Sequence, residues 1–282
     1  MKQLFLGILF FCLIIYPEQA ISGARNGLIL WGFTIVPTLL PFFIITNSLQ
    51  KETSNTKFLL VYLLFLGFFC GYPTVSILIS KHFSVNTFTK KQAEFLLFLN
   101  QASPVFLINY VHLNYLSNRC SLPIFLLILY LPILFWIVFY VLYYRSKDPS
   151  FFHYCIKKNT IPVNENKGPF IDSIYTIVNI GCFIVIFSIF ITFSIHFFRA
   201  FCPVFAILSC FLEITTGLSF LSAYPLNWQI KTALMASLCS CGGLCSLFQI
   251  KGILPKELSI VPYVIFKCLT ALTTFLLTLL IF

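Results

Sequence analysis

Acidic residues are nearly missing from this chain. Eight Asp and Glu stand against 18 Lys and Arg in 282 residues, and charged residues of both signs make up only 9%. A soluble domain carries roughly 25%, so a soluble fold is excluded. No polar stretch is long enough for a soluble domain either; the longest interruption runs from Arg145 to Gly168. The apolar runs do not alternate with polar residues, which excludes a membrane β-barrel. No G-x-S-x-G, H-E-x-x-H or Walker pattern occurs, and the chain is read as a non-enzyme without a cofactor. The basic excess lies mostly in loops. It reads as orientation and lipid headgroup contact, not nucleic-acid binding.

What is present is apolar length. The chain is 59% hydrophobic with a mean hydropathy of +0.96. Nine apolar segments are expected, near 3–20, 27–49, 57–80, 93–113, 121–144, 172–197, 200–221, 230–250 and 258–281. Runs of about 20 residues repeated along a chain predict an all-α polytopic transmembrane bundle. Lys2, the apolar run from Leu4 to Ile15 and Ser22-Gly23-Ala24 resemble a signal peptide. The following membrane segment favours a retained span instead. Eleven Cys lie mostly inside apolar runs, where Cys acts as a small soft hydrophobe. Cys239, Cys241 and Cys245 cluster, but no His or Asp beside them completes a metal site. Close helix packing is the reading, with no metal expected.

A faint internal echo organises the chain. Residues 42–49 (FFIITNSL) resemble residues 211–218 (FLEITTGL), an offset of 169 residues, and Cys70 meets Cys239 at the same offset. Five segments separate the copies. If all five cross, the copies are opposed, and an inverted-topology repeat with broken helices is expected. The halves are 1–144, with one extra span, and 171–282, joined by a polar loop at 145–170. With nine crossings, seven Lys/Arg fall on the N-terminal side and ten on the other. The positive-inside rule then places both the Arg145–Gly168 loop and the C-terminus in the cytoplasm.

Few polar residues sit at membrane depth, and each is a candidate for function. Glu213 is the one carboxylate well inside an apolar segment. It reads either as a proton, Na⁺ or substrate contact, or as a structural ion pair or hydrogen bond. Lys267, alone in the last segment, is its expected partner, or an anion ligand. Gly71-Tyr72-Pro73-Thr74 interrupts the third segment. Pro removes a helix donor, Gly permits the turn, and the restarted helix offers free N–H groups to an anion. A plain proline kink is the competing reading. Asn100-Gln101-Ala102-Ser103-Pro104 breaks the fourth segment and offers amides and a hydroxyl to a ligand, or to a neighbouring helix. Thr89 and Gln92 form a capping box there, and Glu94 reads as helix-dipole complementarity. Gly242-Gly243, with Gln249, is the matching break in the second half; Thr215 follows Glu213. Pro37 and Pro41 are expected to interrupt the second segment. The four His lie in loops or near segment ends, and most aromatic residues read as lipid-facing bulk.

These blocks, in this order, resemble the YlbJ-type sporulation integral membrane proteins, a branch of the Gate nucleoside-recognition superfamily. The resemblance runs from Trp31, Pro37 and Pro41-Phe42-Phe43 through Gly71-Tyr72-Pro73 and Asn100–Pro104. It continues with Glu213-Ile214-Thr215-Thr216-Gly217, Gly242-Gly243, Gln249 and Lys267. It implies a multi-pass protein of the cell membrane, or of the membrane around the developing spore, needed in spore formation. It also implies kinship with nucleoside carriers and a role in moving dipicolinate. The chain is shorter than typical members. The expected function is transport or channelling of a small anionic or nucleoside-like solute, with H⁺ or Na⁺ coupling and homo-oligomerisation as further expectations. The alternative is a non-transporting membrane scaffold for spore-envelope assembly.

Overall fold

The structure, a computed structural model, describes residues 10, 11, 13–49, 56–84, 87–148, 168–198 and 202–282. Among them every regular element is helical. Six helical segments are long and apolar enough to cross a membrane: Pro17–Ile45, Lys90–Leu116, Leu122–Lys147, Phe170–Phe198, Trp228–Ile253 and Val261–Ile281. The protein is an all-α multi-pass membrane protein. Its outward faces carry Phe33, Leu131, Phe135, Val204, Leu272 and Leu280, all exposed apolar side chains suited to lipid.

The loop expected between the first two apolar segments does not exist. Pro17–Leu30, a π-turn at Trp31–Ile35 and Val36–Leu49 form one continuous helical segment. Pro37 follows the π-turn and Pro41 lies inside the last helix, so neither interrupts the segment. The part of the signal-like segment before residue 10 lies outside the described residues. Gly23 and Gly27 face Pro169–Phe198, where a Cβ would come within 2.7 Å of the Ile189 backbone and 2.9 Å of the Val185 backbone. This G-x-x-x-G seam lets two membrane helices approach closely. Trp31 locks it further along, donating to the Ile177 carbonyl (2.9 Å) while its ring covers Gly181.

Two of the expected crossings are hairpins. Thr56–Phe69 and Thr74–Ser84 meet at a tip formed by Gly71-Tyr72-Pro73, where Gly71 has φ +74° and Thr74 N–H returns to the Gly71 carbonyl. Both arms lie along one half of Lys90–Leu116. Gly67 packs on the Leu99 carbonyl and Gly71 on Gln101 and Ser103. Leu63, Leu66, Val75 and Leu78 share a core with Ala93, Leu96 and Leu97. Thr87 N–H bonds the carbonyl of His82 near the end of the second arm, just before Thr89 caps Lys90–Leu96. The chain therefore leaves on the side where it arrived.

The second hairpin comes from the opposite side. Pro203–Ser209 and a 3₁₀ turn at Cys210–Leu212 lead to Glu213, and Ile214–Ala223 returns. Gly217 seats on the Cys210 carbonyl, a contact that a straight helix would not allow. The returning arm runs antiparallel to Trp228–Cys241: Ile214 lies against Gly243, Gly217 against Leu238, and Ser222 accepts from Lys231. Each hairpin thus packs its returning arm on the first half of the broken span that follows it. The two units are inverted with respect to one another. Gly71–Pro73 corresponds to Glu213, and Asn100–Ser103 to Gly242-Gly243. The 169-residue register is corrected, because Ile44 sits inside a continuous helix whereas Glu213 forms a hairpin tip. Three crossings, not five, separate the units.

The count of crossings also moves the C-terminus. Gln229 donates to the Phe282 carbonyl, and the Trp228 and Phe282 rings meet at 5.4 Å. The chain end therefore lies opposite the connection between Lys147 and Pro169. Among the described residues the connection side holds eight Lys/Arg: Lys57, Lys81, Lys90, Lys91, Arg145, Lys147, Lys251 and Lys256. The far side holds three, Arg25, Arg119 and Lys231, and Lys267 lies inside the bundle. The near-balance expected from nine crossings gives way to a strong asymmetry. Lys2, Lys51, Lys157, Lys158, Lys167 and Arg199 lie outside the described residues.

Candidate functional site

Four interruptions of helical backbone meet at the middle of the bundle. Asn100 leaves the 3₁₀ turn Leu97–Leu99 with φ −72° and ψ 95°, and Ser103 caps the restarted helix at Pro104, accepting from Phe106 N–H (3.2 Å). Thr89 and Gln92 form the expected capping box at the start of this span. Glu94, expected to complement the helix dipole, accepts from Ser259 N–H (2.8 Å) and ties the span to the last loop. Gly242 and Gly243 break the second span with φ +81° and +76°. A Cβ on Gly242 would lie 2.8 Å from the Tyr72 hydroxyl, and one on Gly243 would lie 3.3 Å from the Glu213 Cα. The two hairpin tips and the two breaks are thus in contact. Non-helical backbone at membrane depth is tolerated where it is buried in protein or lines a cavity.

Lys267 enters this junction from Val261–Ile281. It is 1% exposed. Its ammonium donates to Gln101 Oε1 (2.6 Å) and the Ser240 carbonyl (3.0 Å), and it faces the Tyr72 and Tyr263 rings at 5.7 and 5.6 Å. The Tyr263 hydroxyl donates to the Asn100 carbonyl (2.8 Å). Gln101 is held in turn by its Nε2 bond to the Phe98 carbonyl (2.7 Å).

The expected Lys267–Glu213 pair does not form. Glu213 is the N-cap of its own helix: Oε1 accepts from Thr215 N–H (2.9 Å), and Oε2 accepts from Thr215 Oγ1 (2.7 Å) and Thr216 N–H (2.7 Å). Three donors and the positive helix end satisfy the carboxylate at membrane depth, which is the structural reading of this residue. Lys267 keeps only neutral neighbours among its bonded partners.

Four buried polar atoms around the junction have no hydrogen-bond partner: Tyr72 Oη, Thr74 Oγ1, Asn100 Oδ1 and Ser240 Oγ. Leaving such a group unmade costs about 1–3 kcal/mol, and the four leave donor and acceptor capacity at the junction. Beside them lies a cavity of about 50 Å³ bounded by Thr38, Cys70, Gly71, Tyr72, Ser103 and Ile214. Small-molecule pockets span roughly 300–1,000 Å³. The cavity has room for no more than a few waters, and a larger solute requires the tips to part.

Gln249 stands apart from the junction. Its Nε2 donates to Cys245 Sγ (3.3 Å), and it lines a separate groove of about 600 Å³ between the first hairpin, Gly243–Ile253 and Pro169–Phe198. The groove also meets Asp172, Thr176 and Asn179, which sequence reading passed over. Their spacing of four and three residues on an otherwise apolar helix is the signal that could have found them. No protein-family model, curated protein or solved structure matches this chain.

Proposed function

We propose that the protein is a membrane carrier or channel for a small anionic or nucleoside-like solute, not an enzyme. The observation that carries this reading is the convergence of two oppositely directed hairpin tips and two broken spans on one buried polar junction. Paired breaks at mid-membrane, facing each other across an inverted repeat, are a recurring architecture of transporter binding sites. Lys267, with no acid bonded to it, and the unpartnered Tyr72, Asn100 and Ser240 atoms offer a cation, amide and hydroxyls to a solute. The asymmetry of eight against three basic residues among those described supports a cytoplasmic connection side. The resemblance to YlbJ-type proteins makes dipicolinate the first solute to try and sporulation the first setting.

One observation favours the competing scaffold reading. Glu213, Thr215 and Ser103 close their bonds within their own helix starts. Uptake into proteoliposomes separates the two. Transport predicts flux of dipicolinate or of a nucleoside, lost in Lys267→Met and Asn100→Ala at normal protein abundance. No flux of either class by folded protein, with both variants functional in cells, sinks the carrier reading and leaves the scaffold.

A further inference from the structure

The groove on the connection side carries a polar stripe in a largely apolar lining. Asp172, Thr176 and Asn179 occupy one face of a 30-residue apolar helix. Asn179 is exposed about three turns into the membrane helix, where a polar group facing hydrocarbon is unfavourable. Across from this stripe stand Lys81 of the first hairpin and Gln249 of the second broken span, with Pro73 lining the same groove. Lys81 lies within electrostatic range of Asp172. The groove is about twelve times the volume of the central cavity, 600 against 50 Å³.

The two spaces share one wall. Cys70, Gly71 and Tyr72 line the inner cavity, whereas Pro73 and Ile77 line the groove. The tip of the first hairpin is the partition. We infer that this groove is the water-filled vestibule through which a small polar solute reaches the central junction from the connection side, with Asp172, Thr176, Asn179, Lys81 and Gln249 as its polar lining. This rests on the carrier reading for its destination. Its own content is the side of access and the wetness of the groove. A carboxylate and an ammonium facing each other across the groove suit a solute that bears both a hydrogen-bonding ring or amide and a charged group. The deep end at Gln249 and Pro73 is where the solute waits for the tip to move.

The experiment is thiol labelling of the full chain in cells and in oriented vesicles. Asn179→Cys is placed in a Cys182→Ser background, because Cys182 lines the same groove; the background alone sets the baseline from the other native thiols. A charged, membrane-impermeant maleimide labels Asn179→Cys from the connection side and not from the far side. Thr176→Cys gives the same sidedness and serves if Asn179→Cys fails to accumulate. Labelling of both positions by a lipid-soluble maleimide only overturns the proposal, since the stripe then faces lipid. Equal labelling from both sides also overturns it. Sided labelling without uptake in proteoliposomes leaves the vestibule standing and removes the carrier reading; uptake with an inaccessible stripe does the reverse.

Discussion

At the scale of the residue, Glu213 shows how position decides role. A carboxylate deep in an apolar segment invites a proton-coupling reading, because insertion of a charge costs about 2.5–3.5 kcal/mol at a helix centre. Here the cost is offset locally by two backbone N–H groups and a threonine hydroxyl. Loss of an N-cap side chain typically costs about 0.5–2 kcal/mol. Glu213→Ala therefore lowers the thermal unfolding temperature in detergent, and Glu213→Gln, which keeps one acceptor oxygen, lowers it less. A coupling carboxylate would give the opposite pattern, with uptake abolished by Gln at unchanged stability. That pair of measurements decides between cap and coupling group. Lys267 is the complementary case. Its bonds to Gln101 and Ser240 hold the ammonium at the junction, and no carboxylate neutralises it there.

At the scale of the element, close helix approach is set by where side chains are missing. Gly27 seats against Val185 and Ser188 of the neighbouring helix, whereas Gly32, on the same continuous segment, has nothing within 4 Å of the position a Cβ would take. Gly27→Leu forces the helices apart against backbone atoms that cannot yield, at about 1–3 kcal/mol for overpacking. Gly32→Ala leaves stability unchanged or slightly raised, as a helix-interior glycine is replaced. Thermal unfolding of the two variants side by side checks the seam; equal stability would remove it. The same elements show what the sequence makes legible. Breaks at Gly71–Pro73, Asn100–Pro104 and Gly242-Gly243 are readable because proline or a second glycine stands beside glycine or a run of polar residues there, whereas Pro41 alone stays inside its helix. The hairpins were not. An apolar run of hairpin length has the composition of a span, and nothing local to Gly71 or Glu213 says that the chain turns back. That information lies in Gly67 meeting Leu99 and Gly217 meeting Cys210, contacts made only in the folded protein. The echo that paired Ile44 with Glu213 followed shared composition, while the packing pairs Glu213 with the Gly71–Pro73 tip.

At the scale of the whole molecule, two hairpins change the sidedness of every loop. A hairpin returns the chain to its starting side, so treating both as spans scatters the basic residues over both faces. Counting six crossings collects eight of the described Lys/Arg on the side of the Lys147–Pro169 connection and leaves three opposite. Lys/Arg flanking short loops orient a membrane protein toward the cytoplasm, and anionic lipid on that leaflet adds about 1 kcal/mol of attraction per basic residue near the surface. The orientation we propose puts the connection in the cytoplasm and Phe282, packed on Trp228, on the other side. An alkaline phosphatase fused after Phe282 is expected to be active. A protease site inserted between residues 149 and 167 is expected to be cut only after the membrane is permeabilised. The two reporters are on opposite sides if, and only if, an odd number of crossings separates them. From the connection the chain crosses at Phe170–Phe198, Trp228–Ile253 and Val261–Ile281, which is three. Were the second hairpin a span, the number would be four and both reporters would share one side. A phosphatase inactive at Phe282 together with a protected insertion would refute the hairpin, and with it the inverted arrangement on which the central junction depends.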